Sequence, residues 1–145
     1  MEIERTTTSK KEELPIFAHK AEILSAVQSF DVVILSGDTG CGKSTQVPQY
    51  LLELGLGGSI AVTQPRRISA VSLAERVSEE VGRGVGDLVG YEVRFEESYS
   101  DKTRVMFMTE GILLKRMISD PKLSRFSLIA VDEAHERSLN CDLLL

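Results

Sequence analysis

Residues 37–44 read Gly-Asp-Thr-Gly-Cys-Gly-Lys-Ser, a glycine-rich octet ending in a lysine and a hydroxyl that fits G-x-x-x-x-G-K-[ST]. Gly37, Gly40 and Gly42 let the backbone close around an anion and aim several N–H groups at it. Lys43 would reach the β and γ phosphates and the Ser44 hydroxyl would ligate Mg²⁺, with Asp38, Thr39, Cys41 and Thr45 completing the cradle. About ninety residues later, Asp132 and Glu133 follow the apolar run Leu128-Ile129-Ala130-Val131. A carboxylate at a strand's C-terminal end can hold magnesium through its water shell. The neighbouring Glu133, also water-linked to the metal, can orient and deprotonate an attacking water. A phosphate cradle followed by paired carboxylates points to a chain that binds ATP or another nucleoside triphosphate with Mg²⁺ and is built to hydrolyse it.

Such residues work only if a strand and a helix hold them. Val32-Val33-Ile34-Leu35 is a short continuous apolar run, predicted as a strand buried on both faces and leading into the octet. A helix is predicted from Lys43 to about Leu54, broken by Gly55, Gly57 and Gly58. Upstream, Leu14, Ile16, Phe17, Ala21, Ile23, Leu24 and Val27 recur at helical spacing and predict an amphipathic helix over about 16–29. Downstream the alternation repeats. Ile60–Val62 predicts a strand and 66–81 a helix; a weaker strand falls near Tyr91–Phe95. Arg104–Met108 predicts another strand, 110–118 a helix stopped by Asp120-Pro121, and Ser127–Val131 a further buried strand. Alternating strands and helices imply an α/β fold with a mostly parallel sheet covered on both faces. Residues 1–13 are polar and predicted to be a mobile tail, leaving 14–145 as one domain.

A chain of 145 residues is long enough to bury about 68–70% of its unfolded surface. Its net charge of −5, from 17 basic and 22 acidic side chains, excludes a broadly basic nucleic-acid coat. Any nucleic-acid contact must therefore be a local patch. Two cysteines make no disulfide framework, and a cross-link at Cys41 would deform the phosphate loop, so both are expected as reduced thiols. The first ten residues lack the apolar core of a signal peptide, and no apolar run approaches the ~20 residues that span a bilayer. A soluble protein that is not exported is expected.

Six signatures in order carry a resemblance: Leu14-Pro15-Ile16; Gly37–Thr45; Thr63-Gln64-Pro65-Arg66-Arg67; Gly90-Tyr91 with Arg94-Phe95-Glu96; Thr109-Glu110-Gly111; and Asp132-Glu133-Ala134-His135-Glu136-Arg137. From about Leu14 onward the chain resembles the first RecA-like domain of a DEAH-box RNA helicase of superfamily 2. His135 separates it from the DEAD-box group. The resemblance implies a three-layer RecA-like P-loop NTPase fold, ending in this chain shortly after the Asp-Glu-Ala-His box.

By the same resemblance, Arg66 and Arg67 face the backbone of single-stranded RNA, and paired guanidinium groups at a strand end suit phosphate. Thr109, Glu110 and Gly111 would touch RNA through a hydroxyl and helix N-terminal amides; an ordinary helix cap with an acidic first turn fits the same residues. Arg76 corresponds to the arginine that stacks on the nucleotide base, although as a lone residue it also reads as a solvated helix arginine. His135 would couple the ATP site to a second RecA-like domain. That domain, with its arginine-rich motif, is not among these residues, and neither is the Ser-Ala-Thr motif. A fragment or truncated gene product is therefore expected, binding nucleotide with little turnover alone. A protein activator and residence in nucleus or cytoplasm, the nucleus slightly favoured, follow only from the family. The rival reading is a truncated homologue that holds nucleotide or a protein partner without catalysis. A GTPase would need an Asn-Lys-x-Asp guanine reader and a small-molecule kinase an arginine-rich lid; neither is present.

Overall fold

The computed structural model describes residues 14–145, so the tail predicted over 1–13 lies outside the described residues. The chain divides into two compact units, Met1–Leu54 and Gly55–Leu145.

In the first unit, the helix predicted over 16–29 begins as a 3₁₀ turn, Pro15–His19, and continues as α1, Lys20–Ser29. Proline at the start of the turn is favourable because its missing N–H would have had no intrahelical partner. Helix α2 spans Lys43–Leu52 and follows the glycine-rich loop. Ile16, Ile23 and Tyr50 form the unit's core, with Leu14, Leu24 and Val47 packed around them. Lys20 fastens α1 to the end of α2, donating to Glu53 at 2.7 Å with its ammonium 5.2 Å from the Tyr50 ring centre.

The strand predicted at Val32–Leu35 is not formed. Residues 32–35 belong to no ladder among the described residues, and Val32 and Ile34 are 80% and 91% exposed. Val33 and Leu35 are less exposed, at about 40%, so exposure along the run alternates with a two-residue period. Apolar content marks a segment able to be a strand, but a strand also needs partners for its N–H and C=O groups.

The second unit is built on a five-stranded sheet in the order β3-β2-β4-β1-β5. Its strands are β1 (Ser59–Gln64), β2 (Val89–Val93), β3 (Glu96–Ser98), β4 (Val105–Thr109) and β5 (Phe126–Val131). Every ladder is parallel except that of β2 with β3, a hairpin absent from the sequence-based expectation. The hairpin requires Gly90, where a Cβ would strike the Ser98 carbonyl across the ladder. Central β1 is buried along its whole length, and Val105–Met108 of β4 are also buried. Edge strand β5 alternates half-buried and exposed positions, so the buried strand predicted there is corrected: among the described residues only β1 pairs with it.

Helix α3 (Arg67–Glu80) buries Ala70, Ala74, Val77 and Ser78, one helical stripe, against β2 and β4. Helix α4 (Glu110–Ser119) lies against β4 and β1, and α5 (Leu139–Leu144) lies against α4. Leu113 of α4 joins Ala61, Met106, Met108 and Leu123 in the core. Arg116 of α4 reaches the sheet, its Nε donating to Glu92 at 2.7 Å.

Candidate active site

The phosphate loop lies wholly in the first unit. Gly42 is the N-terminal cap of α2 at φ 98°, ψ 10°, and Gly40 sits at φ 82°. A side chain at Gly42 would need both that left-handed conformation and room 3.0–3.2 Å from Leu14 and Ile16. Glycine is therefore obligatory there for a local reason. The Ile16 N–H donates to the Cys41 carbonyl at 3.2 Å, tying the loop to the turn before α1. The Lys43 ammonium donates back to the Gly37 carbonyl, so its charge points into the loop it would share with phosphate. The ten-residue α2 adds its positive N-terminal end. Beside the loop is a cleft of about 580 Å³, lined by Pro15, Ile16, His19 and Ile23, by the extended run and by residues 37–41. That volume is within the range of small-molecule sites. The donor set, cationic and rich in N–H groups, fits a polyphosphate, and Ser44 lies in the first turn of α2.

The remaining predicted residues lie in the second unit; all but Arg76, which sits within α3, fall at or just beyond the C-terminal ends of its strands. Since β1 is flanked by β4 and β5 and runs parallel to both, the C-terminal ends of neighbouring strands stand about one strand spacing, ~4.8 Å, apart. Thr109 to Gly111 leave β4, Arg66 and Arg67 leave β1, and Asp132 leaves β5. Ligands of open α/β sheets bind at this carboxyl edge.

At the end of β5, Asp132 is held from several sides. Its N–H donates to Thr63 O at 3.2 Å, the Gln64 side-chain amide donates to Oδ2, and the Glu133 N–H donates to Oδ1 at 2.9 Å. Glu133 takes a left-handed conformation, φ 56° and ψ 32°. A short 3₁₀ turn, Ala134–Glu136, follows, and Arg137 is left-handed again at φ 51°. Two such non-glycine residues each cost on the order of 1–2 kcal/mol, and strain of that kind persists where surrounding contacts impose it. Glu133 Oε2 is 3.1 Å from His135 Nε2.

The basic residues are exposed but already paired with carboxylates. Arg66 contacts Glu136 at 3.4 Å and Arg67 contacts Glu96 at 2.8 Å. Such exposed pairs contribute about 0–1 kcal/mol each, so a phosphate could displace them. Glu96 also accepts from the Tyr91 hydroxyl at 2.6 Å, and this hydrogen bond, more than burial, pushes the Tyr91 pKa up. Arg76 pairs along α3 with Glu80 at 2.8 Å. Thr109 makes no side-chain capping bond. Glu110 differs from its neighbours: its side chain is buried and turned towards Ser138, so at this turn only Thr109 and backbone amides can meet a ligand.

Three residues had been given no role. Gln64, 2% exposed, orients Asp132; it was visible in the sequence only as part of a signature. Ser138 caps α5, its Oγ accepting from Cys141 N at 3.0 Å, and a serine before a new helix is a legible capping signal. Phe95 stands at the β2–β3 tip at φ 66° and 91% exposure, with the Arg94 guanidinium 4.8 Å from its ring centre. A bulky residue in that conformation and setting is an outlier that sequence cannot show.

The α/β architecture with a five-stranded, mostly parallel sheet fits a RecA-like helicase domain. Residues 17–140 match the DEAD/DEAH box helicase family model, and the chain belongs to that family. It is 49% identical over 141 residues to the Arabidopsis thaliana DExH-box ATP-dependent RNA helicase DExH1, covering 93% of this chain and 14% of that protein. It is 48% identical to the Saccharomyces cerevisiae probable ATP-dependent RNA helicase DHR1, covering 92% and 11%, and 49% identical to mouse ATP-dependent RNA helicase DHX33, covering 93% and 20%. The chain thus spans about a tenth to a fifth of the length of these relatives. Among the described residues no helix is long and apolar enough to cross a membrane.

Proposed function

We propose that this chain is the ATP-binding part of an ATP-dependent RNA helicase, acting inside the cell, and that residues 14–145 belong to one RecA-like domain. The observation that carries the reading is the loop itself: left-handed Gly40 and Gly42 lead into α2, and the Lys43 ammonium is turned inward. In this reading Gly37–Thr45 hold the phosphates, while Ser44 and, through water, Asp132 and Glu133 hold Mg²⁺, which when bound would neutralise charge on the phosphates. Gln64 keeps Asp132 in place, and Glu133 takes the proton of the attacking water. Arg76 stacks on the base. Stacking ignores base edges, so ATP, GTP, CTP and UTP are expected to bind within about tenfold of one another, ~1.4 kcal/mol. Arg66, Arg67 and the Thr109–Gly111 turn follow an RNA backbone, and His135 relays the state of the site to a second RecA-like domain. An arginine finger contributes about 10³–10⁵ in rate in related enzymes. Residues 14–145 taken alone, without an arginine finger, are therefore expected to turn over slowly.

A multiple-turnover ATPase assay with and without single-stranded RNA, on the parent chain and Glu133→Gln, tests this. Slow Mg²⁺-dependent hydrolysis that disappears in Glu133→Gln supports it. Nucleotide binding without any turnover would favour a non-catalytic homologue.

A further inference from the structure

We propose that Glu110 is a positioning residue for hydrolysis, acting through Ser138 to hold Glu133 in its left-handed conformation; this rests on the role proposed above for Glu133. A glutamate at the first position of a helix ordinarily stays in solvent, where the helix N-terminus favours it. Glu110 opens α4 in that position yet is only 4% exposed. Its Oε2 accepts from the Ser138 hydroxyl, while its Oε1 has no partner among the described residues. A buried carboxylate with one oxygen unmatched is costly, so the surviving contact is the informative one.

Ser138 has a single hydroxyl proton, given to Glu110, and a lone pair that accepts from Cys141 N at 3.0 Å. The hydroxyl is thereby fixed from both sides. It lies five residues after Glu133, immediately past the second left-handed residue, Arg137. Between the two left-handed positions is only a three-residue 3₁₀ turn. With β5 anchoring one end through Asp132 and Glu110–Ser138 the other, the turn has fixed ends and its strained conformation is imposed. Arg137 bonds Asp142 at 2.8 Å on the solvent side; the Glu110 contact is the buried one. Without it, Glu133 relaxes from φ 56° and its carboxylate no longer faces the water it is proposed to activate.

The test uses the 145-residue chain and its Glu110→Ala, Glu110→Gln, Ser138→Ala, Ser138→Thr and double-alanine variants. Three quantities are read: Mg·ATP affinity, the single-turnover hydrolysis rate with protein in excess, and amide exchange at residues 133–138. Glu110→Ala and Ser138→Ala are each expected to slow hydrolysis by about tenfold while leaving Mg·ATP affinity within about twofold. The double variant should be no slower than either single, because both break one contact. Glu110→Gln keeps an oxygen acceptor and Ser138→Thr keeps the hydroxyl, so both should recover most of the rate. Exchange should quicken at 133–138 and not in β1. Parent-like hydrolysis in folded Glu110→Ala, or losses that multiply in the double variant, would overturn the proposal. If the parent chain fails to bind Mg·ATP, the functional reading itself is lost; unchanged exchange at 133–138 refutes the clip independently of nucleotide. Should Glu110→Ala fail to fold, Ser138→Ala against Ser138→Thr decides by the same readouts.

Discussion

Val32-Val33-Ile34-Leu35 and Ile60-Ala61-Val62 look alike as sequence, short apolar runs rich in β-branched residues, yet they end in opposite environments. The second is the middle of β1, with β4 on one side and β5 on the other, and Ile60, Ala61 and Val62 are almost completely buried. The first has extended periodicity but no ladder, and Ile34 is 91% exposed. Composition is common to both; hydrogen-bond partners are not. A run of apolar residues marks a segment able to be a strand, and neighbouring chain decides whether it becomes one. The phosphate loop that follows the first run is nonetheless formed, because its shape comes from local contacts: Gly42 against Leu14 and Ile16, and Cys41 O with Ile16 N–H.

The largest expected effect separates the core around β1 from the first run by stability. Phe107 of β4, paired in register with Val62, is fully buried. Phe107→Ala should cost about 3–5 kcal/mol, whereas Ile34→Ala should change stability by less than about 0.5 kcal/mol. Urea unfolding of both variants checks this. A cost of several kcal/mol at Ile34 would mean that the run is buried in solution.

The sequence was most informative where function depends on local backbone chemistry. The glycine–lysine octet and the Asp132-Glu133 pair stand out in the sequence by residue type and spacing alone. Helix α3 and strands β1, β4 and β5 were legible from periodicity and flanking turns. The β2–β3 hairpin was not, since Glu96-Glu97-Ser98 carries no apolar signal and depends on Gly90 admitting the Ser98 carbonyl. Nor were the roles of Gln64 and Glu110. Each acts by touching a residue distant in sequence, Asp132 and Ser138, and a single chain does not display such pairings.

An intermediate effect concerns the carboxyl edge of the sheet. Arg66 and Arg67 can neutralise about two phosphates, so single-stranded RNA binding should be weak, sequence-independent and lost as salt rises. Arg66→Ala/Arg67→Ala should remove the low-salt signal in a fluorescence-anisotropy titration. Tight RNA binding by the double variant at physiological salt would place the contact surface elsewhere.

The smallest effect distinguishes the two thiols, one in each unit. Burial, then the nearby Glu110 and Asp142 carboxylates, push the Cys141 pKa up. Its neutral form is therefore favoured by folding. That contribution is fully present below the unfolded thiol's ordinary value of about 8.5 and is lost as pH rises through the higher folded value. Iodoacetamide at mildly alkaline pH should label half-buried Cys41 ahead of buried Cys141, and Mg·ATP should slow labelling at Cys41 alone. Equal rates at the two thiols, read by peptide mass spectrometry, would contradict the burial of Cys141.

The most direct test of nucleotide binding at the phosphate loop is a calorimetric titration of Mg·ATP into the parent chain and into Lys43→Ala. Saturable binding to the parent and its loss in a Lys43→Ala variant that unfolds at the parent's urea midpoint is the predicted result. Equal affinity in the two proteins would show that the phosphates are held somewhere other than Gly37–Thr45.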